Sequence, residues 1–359
     1  MAEKAACLRK AIPVLVLTAA IMAASFLGNR SAAPAQQTGA APVSSSLSAS
    51  SGVTSSGTEK KKFIRYVEFN VPYLALKKAM NLDIASHKDG GKLSWVDLLA
   101  CLAAKYGGTF SHYKSADLDD FAKKLESQPV EKVTEKMKYF SYYREAYSAV
   151  LSGLLGKYRE NGEEKYGLTG YLPIAKTFPY TDCDDFGVQR TYGYSRPHLG
   201  HDMMSATGTP VIAVESGIVE ALGWNQYGGW RVGIRSFDSK RYYYYAHLRQ
   251  NRPYAAGLAI GKTVKAGDVI GYVGRTGYSS KENVNNIQVS HLHFGLQLIF
   301  DESEKECNNE IWIDVYPLTQ LLRQHQSAVE RNSETKEYAR TSQIEIEPIE
   351  SPQPLNSSK

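Results

Sequence analysis

The sequence predicts an α+β chain in which a helical N-terminal region precedes a mainly antiparallel β domain. Three observations carry that expectation. Between residues 63 and 160, apolar side chains recur at helical spacing. From about Tyr166 onward, short alternating segments are separated by glycine-rich turns. Residues 29–59 hold almost no large apolar side chain, and residues 327–359 are polar and contain proline. The composition, 43% hydrophobic and 22% charged, is that of a globular protein, and 359 residues suffice for two ordinary domains plus tails.

At the N-terminus, Lys4, Arg9 and Lys10 precede an uncharged run from Ala11 to Gly28. A basic segment before such a run marks export. The run is at the short end for a membrane span and long for a signal-peptide core. Residues 1–28 are therefore read as a signal peptide or a membrane anchor. Retention in the cytoplasmic membrane and cleavage after Ala33-Pro34-Ala35 both stay open. The distribution of basic residues places the chain beyond about residue 30 outside the cytoplasm, in the cell envelope. Residues 29–62, rich in Ala, Ser, Gly and Thr, read as a flexible linker.

Residues 63–160 read as the helical region. Ser94 and Asp97 form a variant capping box ahead of an apolar run that closes at Gly107-Gly108, and Asp117 and Asp120 repeat the spacing. A longer helical pattern runs from about Val130 to Tyr158 through Val133, Met137, Phe140, Tyr143, Tyr147, Val150 and Leu154. His87 and His112 read as surface or turn histidines. Nothing here forms a catalytic constellation, so a structural or regulatory role is expected.

Residues 165–325 read as the β domain, closed by a helix in "YPLTQLLRQHQ", and residues 326–359 as a disordered tail. The net charge of +5 is modest and no long basic block is present, so nucleic acid is not an expected partner. Cys101 reads as a small buried hydrophobe. Cys183 and Cys307 can pair in an oxidising compartment, and the sequence leaves that open. No CxxC suggests a structural zinc site.

The chemistry sits in the β domain, where five of the eight histidines fall between residues 198 and 293. His198 and Asp202, in "HLGHD", are four residues apart. His291 and His293, in "HLHFG", are two apart, so on a strand they share a face. His198, Asp202 and His293 together supply three nitrogen or oxygen ligands. Three protein ligands and one open position is the catalytic zinc arrangement, whereas structural sites are closed by four. His201 is expected to point away from that face to the surface. Tyr242 to Tyr245 are expected to alternate between faces and mainly to pack. Asp182, Asp184 and Asp185 read as a solvated loop and Glu215 as a strand-end charge.

The segments "HLGHD", "YYAHL" and "HLHFG", in that order and spacing, resemble the LytM/lysostaphin-type peptidoglycan endopeptidases, metallopeptidase family M23. The stretches "GTPVIAVESGIVEALGWNQYGGWRVGI" and "VKAGDVIGYVGRTG" match the same family. The resemblance covers roughly residues 190–300. It implies a LytM/lysostaphin-like fold and one zinc ion held by His198, Asp202 and His293. It further implies catalytic roles for His247 and His291 beside a zinc-activated water, and peptidoglycan stems or cross-bridges as substrate. Which histidine does which job is left open, and Tyr192 is a weaker candidate for the oxyanion. Two other roles stand beside this one: a catalytically silent wall-binding or assembly module of the same fold, and a helical region that covers the metal site.

Overall fold

The structure, a computed structural model, describes residues 63–346 apart from 92, 161, 306–308 and 343. The expected signal or anchor, the linker and Cys307 lie outside the described residues. Among the described residues no helix is long and apolar enough to cross a membrane.

Five helices open the described chain: α1 (Tyr73–Lys88), α2 (Trp95–Tyr106), α3 (Ser115–Ser127), α4 (Val130–Thr134) and α5 (Phe140–Leu151). Ser94 occupies the N-cap of α2, but its side chain makes no capping bond. The Trp95 N–H donates instead to Asp83 of α1, at 2.8 Å. Helix α2 ends as expected at Gly107, in the left-handed conformation that favours glycine. The expected long helix from Val130 to Tyr158 is broken. Tyr139 turns left-handed at φ 67° before α5. Gly153 then passes so close to Glu215 that a Cβ there would lie 1.8 Å from its carboxylate. The chain leaves the helix and forms β1 (Leu155–Glu160) paired with β2 (Glu163–Leu168).

The next strands are short: β3 (Tyr180–Thr181), β4 (Gln189–Arg190) and β5 (Arg196–Pro197). The main β region follows as β6 (His201–Ser205), β7 (Pro210–Ile212), β8 (Gly217–Asn225), β9 (Gly229–Ser236), β10 (Arg241–Ala246), β11 (Thr263–Val264), β12 (Val269–Tyr272), β13 (His291–Leu298) and β14 (Ile311–Trp312). Strands β11-β8-β9-β10-β13-β6-β3 form one antiparallel sheet in that order, with β14 on β13. The mainly antiparallel expectation matches this sheet. Helix α6 (Tyr316–Leu322) follows where the apolar spacing placed it.

The helical region and the β region share a continuous apolar core. It runs from Leu76, Leu98 and Leu102 through Leu154 and Leu318 to Tyr243, Leu292 and Phe294. The two were expected as separate domains. They form one compact unit because α1 packs on α6 and on β2, and an apolar helix face must be buried against another element. Arg241, fully buried on β10, ties α5 to the sheet by donating to the Ala149 carbonyl at 2.8 Å. Glu215 is not a surface strand-end charge. It is buried and accepts from Arg241 at 2.7 and 3.0 Å and from the Tyr243 hydroxyl at 2.7 Å.

Residues 329–346 correct the expected disordered tail. They form β15 (Val329–Arg331), β16 (Tyr338–Arg340) and β17 (Ile344–Ile346); β15 pairs with β16, and β17 completes the exposed edge of β1. Glu337 between them accepts from Arg249, Arg252 and Tyr272. These strands are held by backbone pairing and ion pairs, so apolar periodicity does not reveal them.

Candidate metal centre and cleft

Strands β6, β13 and β10 lie side by side, and their register builds the site. His293 of β13 faces Asp202 of β6 on one side and Ala246 of β10 on the other. His291 stands two residues before His293 on the same face. Leu292 and Phe294, pointing the opposite way, are buried in the core. His247 follows directly after β10 in the left-handed region, at φ 61°. Its backbone N–H donates to Gly228 at 2.7 Å, which holds a conformation that costs of order 1 kcal/mol for a non-glycine residue. His198 enters from the turn between β5 and β6. Its N–H donates to Val188 at 2.9 Å, and its carbonyl accepts from Gly187 at 2.8 Å. Gly200 makes room for this approach, because a Cβ there would lie 2.5 Å from the His293 ring.

The three expected ligands converge. His198 Nε2 lies 2.8 Å from His293 Nδ1 and 3.0 Å from Asp202 Oδ1, and His293 Nδ1 lies 3.0 Å from Asp202 Oδ1. Among the described residues these three form the cluster able to hold a metal ion. Two imidazole nitrogens at such a separation share at most one proton. A cation satisfies both of them and the carboxylate, and two nitrogens plus an oxygen suit zinc. The residues present therefore fit the expected ion.

His247 and His291 stand beside the cluster, with ring centroids 4.8 Å apart; His247 is 5.8 Å from His293. His247 Nδ1 lies 2.9 Å from the Thr276 carbonyl and His291 Nδ1 2.8 Å from the Val289 carbonyl. A carbonyl oxygen only accepts, so both Nδ1 atoms carry a proton. Burial and the neighbouring His291 and His293 hold His247 well below the usual imidazole range, in its neutral form.

Around the ligands lies a polar layer that sequence reasoning missed. Burial works against charge at His198, but Asp202 and Asp185 outweigh it and raise the imidazole to about 9. His198 Nδ1 donates to the Asp185 carbonyl at 3.1 Å, which aims Nε2 at the ligand cluster. Arg190 links the layer, donating to Asp185 at 3.0 Å and to Asp202 Oδ2 at 2.8 Å. Asp185 is held down to about 2, because hydrogen bonds from His198 and His201 outweigh its burial. His201 corrects its surface reading. It is 1% exposed, wedged between Asp182 at 3.1 Å and Asp185 at 3.2 Å. Asp182 and Asp185 correct the solvated-loop reading in the same way. Pointing away from the ligand face leads here into a buried ion-pair cluster, which Arg323 closes on Asp182.

The cleft over the ligands is lined entirely by residues between Arg190 and His293. No residue of the five helices lines it, so these helices do not cover the candidate metal centre. Tyr244 does line it, while Tyr243 and Tyr245 pack into the core. Tyr192 stacks on Tyr278 with ring centroids 4.5 Å apart. Cys183 is disulfide-bonded. No short spacing pattern marks Arg190, Asp185, Thr276 or Tyr278, because each reaches the site from a separate turn.

Residues 196–307 match the model of peptidase family M23. A curated relative from Bacillus subtilis (strain 168), an L-Ala–D-Glu endopeptidase, is 34% identical over 44% of this chain and 47% of its own length. A glycyl-glycine endopeptidase from Staphylococcus capitis is 36% identical over 27% of this chain and 24% of its own length. The chain thus spans less than half the length of either relative. The solved catalytic domain of lysostaphin from Staphylococcus simulans is 30% identical, with 39% of this chain and 92% of that chain covered, at a TM-score of 0.30.

Proposed function

We propose, from the peptidase family M23 domain at residues 196–307, that this chain is a zinc endopeptidase that hydrolyses peptide bonds of bacterial peptidoglycan. One observation carries the reading. Three donor atoms converge at 2.8–3.0 Å, the neutral His247 lines the cleft over them, and the His291 ring stands 4.8 Å from His247. A silent binding module has no need of that complete set. The bond cut is not carried over from the relatives, since the two named above are called after different bonds.

His198 Nε2, Asp202 Oδ1 and His293 Nδ1 would hold the ion. When bound, zinc supplies a Lewis acid that polarises a carbonyl and lowers the pKa of water. Neutral His247 offers Nε2 as acceptor for a proton of the attacking water. Once protonated, that nitrogen donates to the developing oxyanion. His291 stands 4.8 Å away, its Nε2 3.7 Å from Asp202 Oδ1. It shares this proton traffic or orients the water. Asp185 and Arg190 keep His198 and Asp202 in place. The basic residues before Ala11–Gly28 support a location outside the cytoplasmic membrane, anchored or secreted, where peptidoglycan lies.

The test digests isolated peptidoglycan with the full chain and its His291→Ala variant, with zinc and with chelator, and reads the fragments by mass spectrometry. Zinc-dependent fragments that the variant fails to release are expected. Bound zinc without fragments from several wall types would sink the hydrolase and favour the binding module.

A further inference from the structure

We infer that Arg196 is a specificity-determining residue that receives a free carboxylate of the substrate peptide next to the scissile bond. The inference rests on the endopeptidase reading and deepens it. It selects acidic stem peptides over neutral glycine bridges.

Two arginines face each other across the β4–β5 ribbon, where Arg190 is paired in register with Arg196. Both line the cleft over the ligands. Their situations differ. Arg190 is neutralised by Asp185 and Asp202. Arg196 has no carboxylate partner among the described residues. The carboxylate that lines this cleft, Asp202, is already engaged by Arg190 and the two ligand histidines. The cleft therefore carries one uncommitted positive charge, which an incoming anion neutralises.

Arg196 is also held ready. Its Nη1 donates to the Tyr192 carbonyl at 2.7 Å, which leaves its other N–H donors free. Three tyrosine rings surround the guanidinium, with centroids 4.6 Å (Tyr227), 5.5 Å (Tyr194) and 5.6 Å (Tyr278) from its central carbon. Tyr192, stacked on Tyr278, backs the cage. Such packing restricts the long side chain before substrate arrives, so less entropy is lost on binding. A caged guanidinium with free donors matches the two oxygens of a carboxylate. Arg196 is two residues from His198 in sequence, and Tyr227 and Tyr278 line the cleft together with His247. A carboxylate bound there belongs to a residue flanking the bond under attack. Peptidoglycan stems carry free carboxylates at such positions. Glycine bridges carry none.

The test compares three synthetic substrates on the zinc-loaded full chain: an acidic stem peptide, the same peptide with that carboxylate amidated, and pentaglycine. Wild type, Arg196→Gln and Arg196→Lys are measured for kcat and KM. Wild type is expected to prefer acid over amide by about 10- to 100-fold in kcat/KM, the range of a hydrogen bond to a charged group. Arg196→Gln should bring the ratio near one, and Arg196→Lys should keep part of it. The ratio, taken within each protein, cancels any loss from altered folding. An unchanged ratio in Arg196→Gln overturns the inference. Cleavage of pentaglycine alone overturns it and leaves the endopeptidase reading standing. Cleavage of none of the three takes down both.

Discussion

Strand β13 has two faces that do opposite work. Leu292, Phe294, Leu296 and Leu298 lie in the core that joins sheet and helices. His291 and His293, alternating with them, lie on the other face, where His293 lines the cleft and His291 Nε2 stands 3.7 Å from Asp202. The core face gains from burying apolar area. The cleft face brings two imidazoles and a carboxylate close together, which a folded protein tolerates only when its other face holds the strand. The same division recurs on β10, where Tyr243 and Tyr245 are core and Tyr244 lines the cleft. Stability and chemistry are thus written into alternate residues of the same strands, and a change at one position should touch mainly one of them.

The largest break in that comparison is expected at Arg241, the charge buried on the core side. Arg241→Met leaves Glu215 buried without its partner, and removing one member of a buried pair costs about 3–5 kcal/mol. Chemical denaturation of the purified variant should show that loss; a change under about 1 kcal/mol would mean that Glu215 finds water or becomes protonated at little cost. Next comes the neighbouring pair on β13. Leu292→Ala should cost about 2–5 kcal/mol of stability. His291→Ala should change stability by less than about 1 kcal/mol while lowering kcat by roughly 100-fold or more. Equal stability losses at the two positions would contradict the division between faces. The smallest effect is expected behind the ligands. Asp185→Asn leaves the backbone carbonyl that holds His198 but removes the charge that anchors Arg190 and His201. Zinc affinity, measured by competition with a chromogenic chelator, should fall about 10- to 100-fold. Unchanged affinity would make Asp185 a purely structural residue.

Much of the site was legible in the sequence because its spacing reports strand geometry. A strand returns to the same face every second residue, so "HLHFG" already places His291 and His293 side by side. The four-residue step in "HLGHD" fits the same logic only in part, since His198 stands in the turn ahead of β6 and is brought in by Gly200. Burial was not legible. His201 and Asp185 carry polar names and look solvated, yet they neutralise each other out of water. The last strands were not legible either, because edge pairing depends on backbone groups that every residue has.

The sequence by itself determined the α+β order of elements, the antiparallel β region and the five residues His198, Asp202, His247, His291 and His293. Local periodicity and spacing suffice for the elements and for singling out His198, Asp202, His291 and His293, whereas His247 is singled out by the resemblance to family M23. Only the tertiary structure decided that helices and sheet share a core, that Glu215 and Arg241 pair inside it, and that Arg190 is neutralised while Arg196 is not. The physical reason is distance along the chain. Glu215 and Arg241 are partners 26 residues apart, and Ala149 meets Arg241 across 92. Contacts of that reach depend on how the whole fold closes, and no local pattern encodes them.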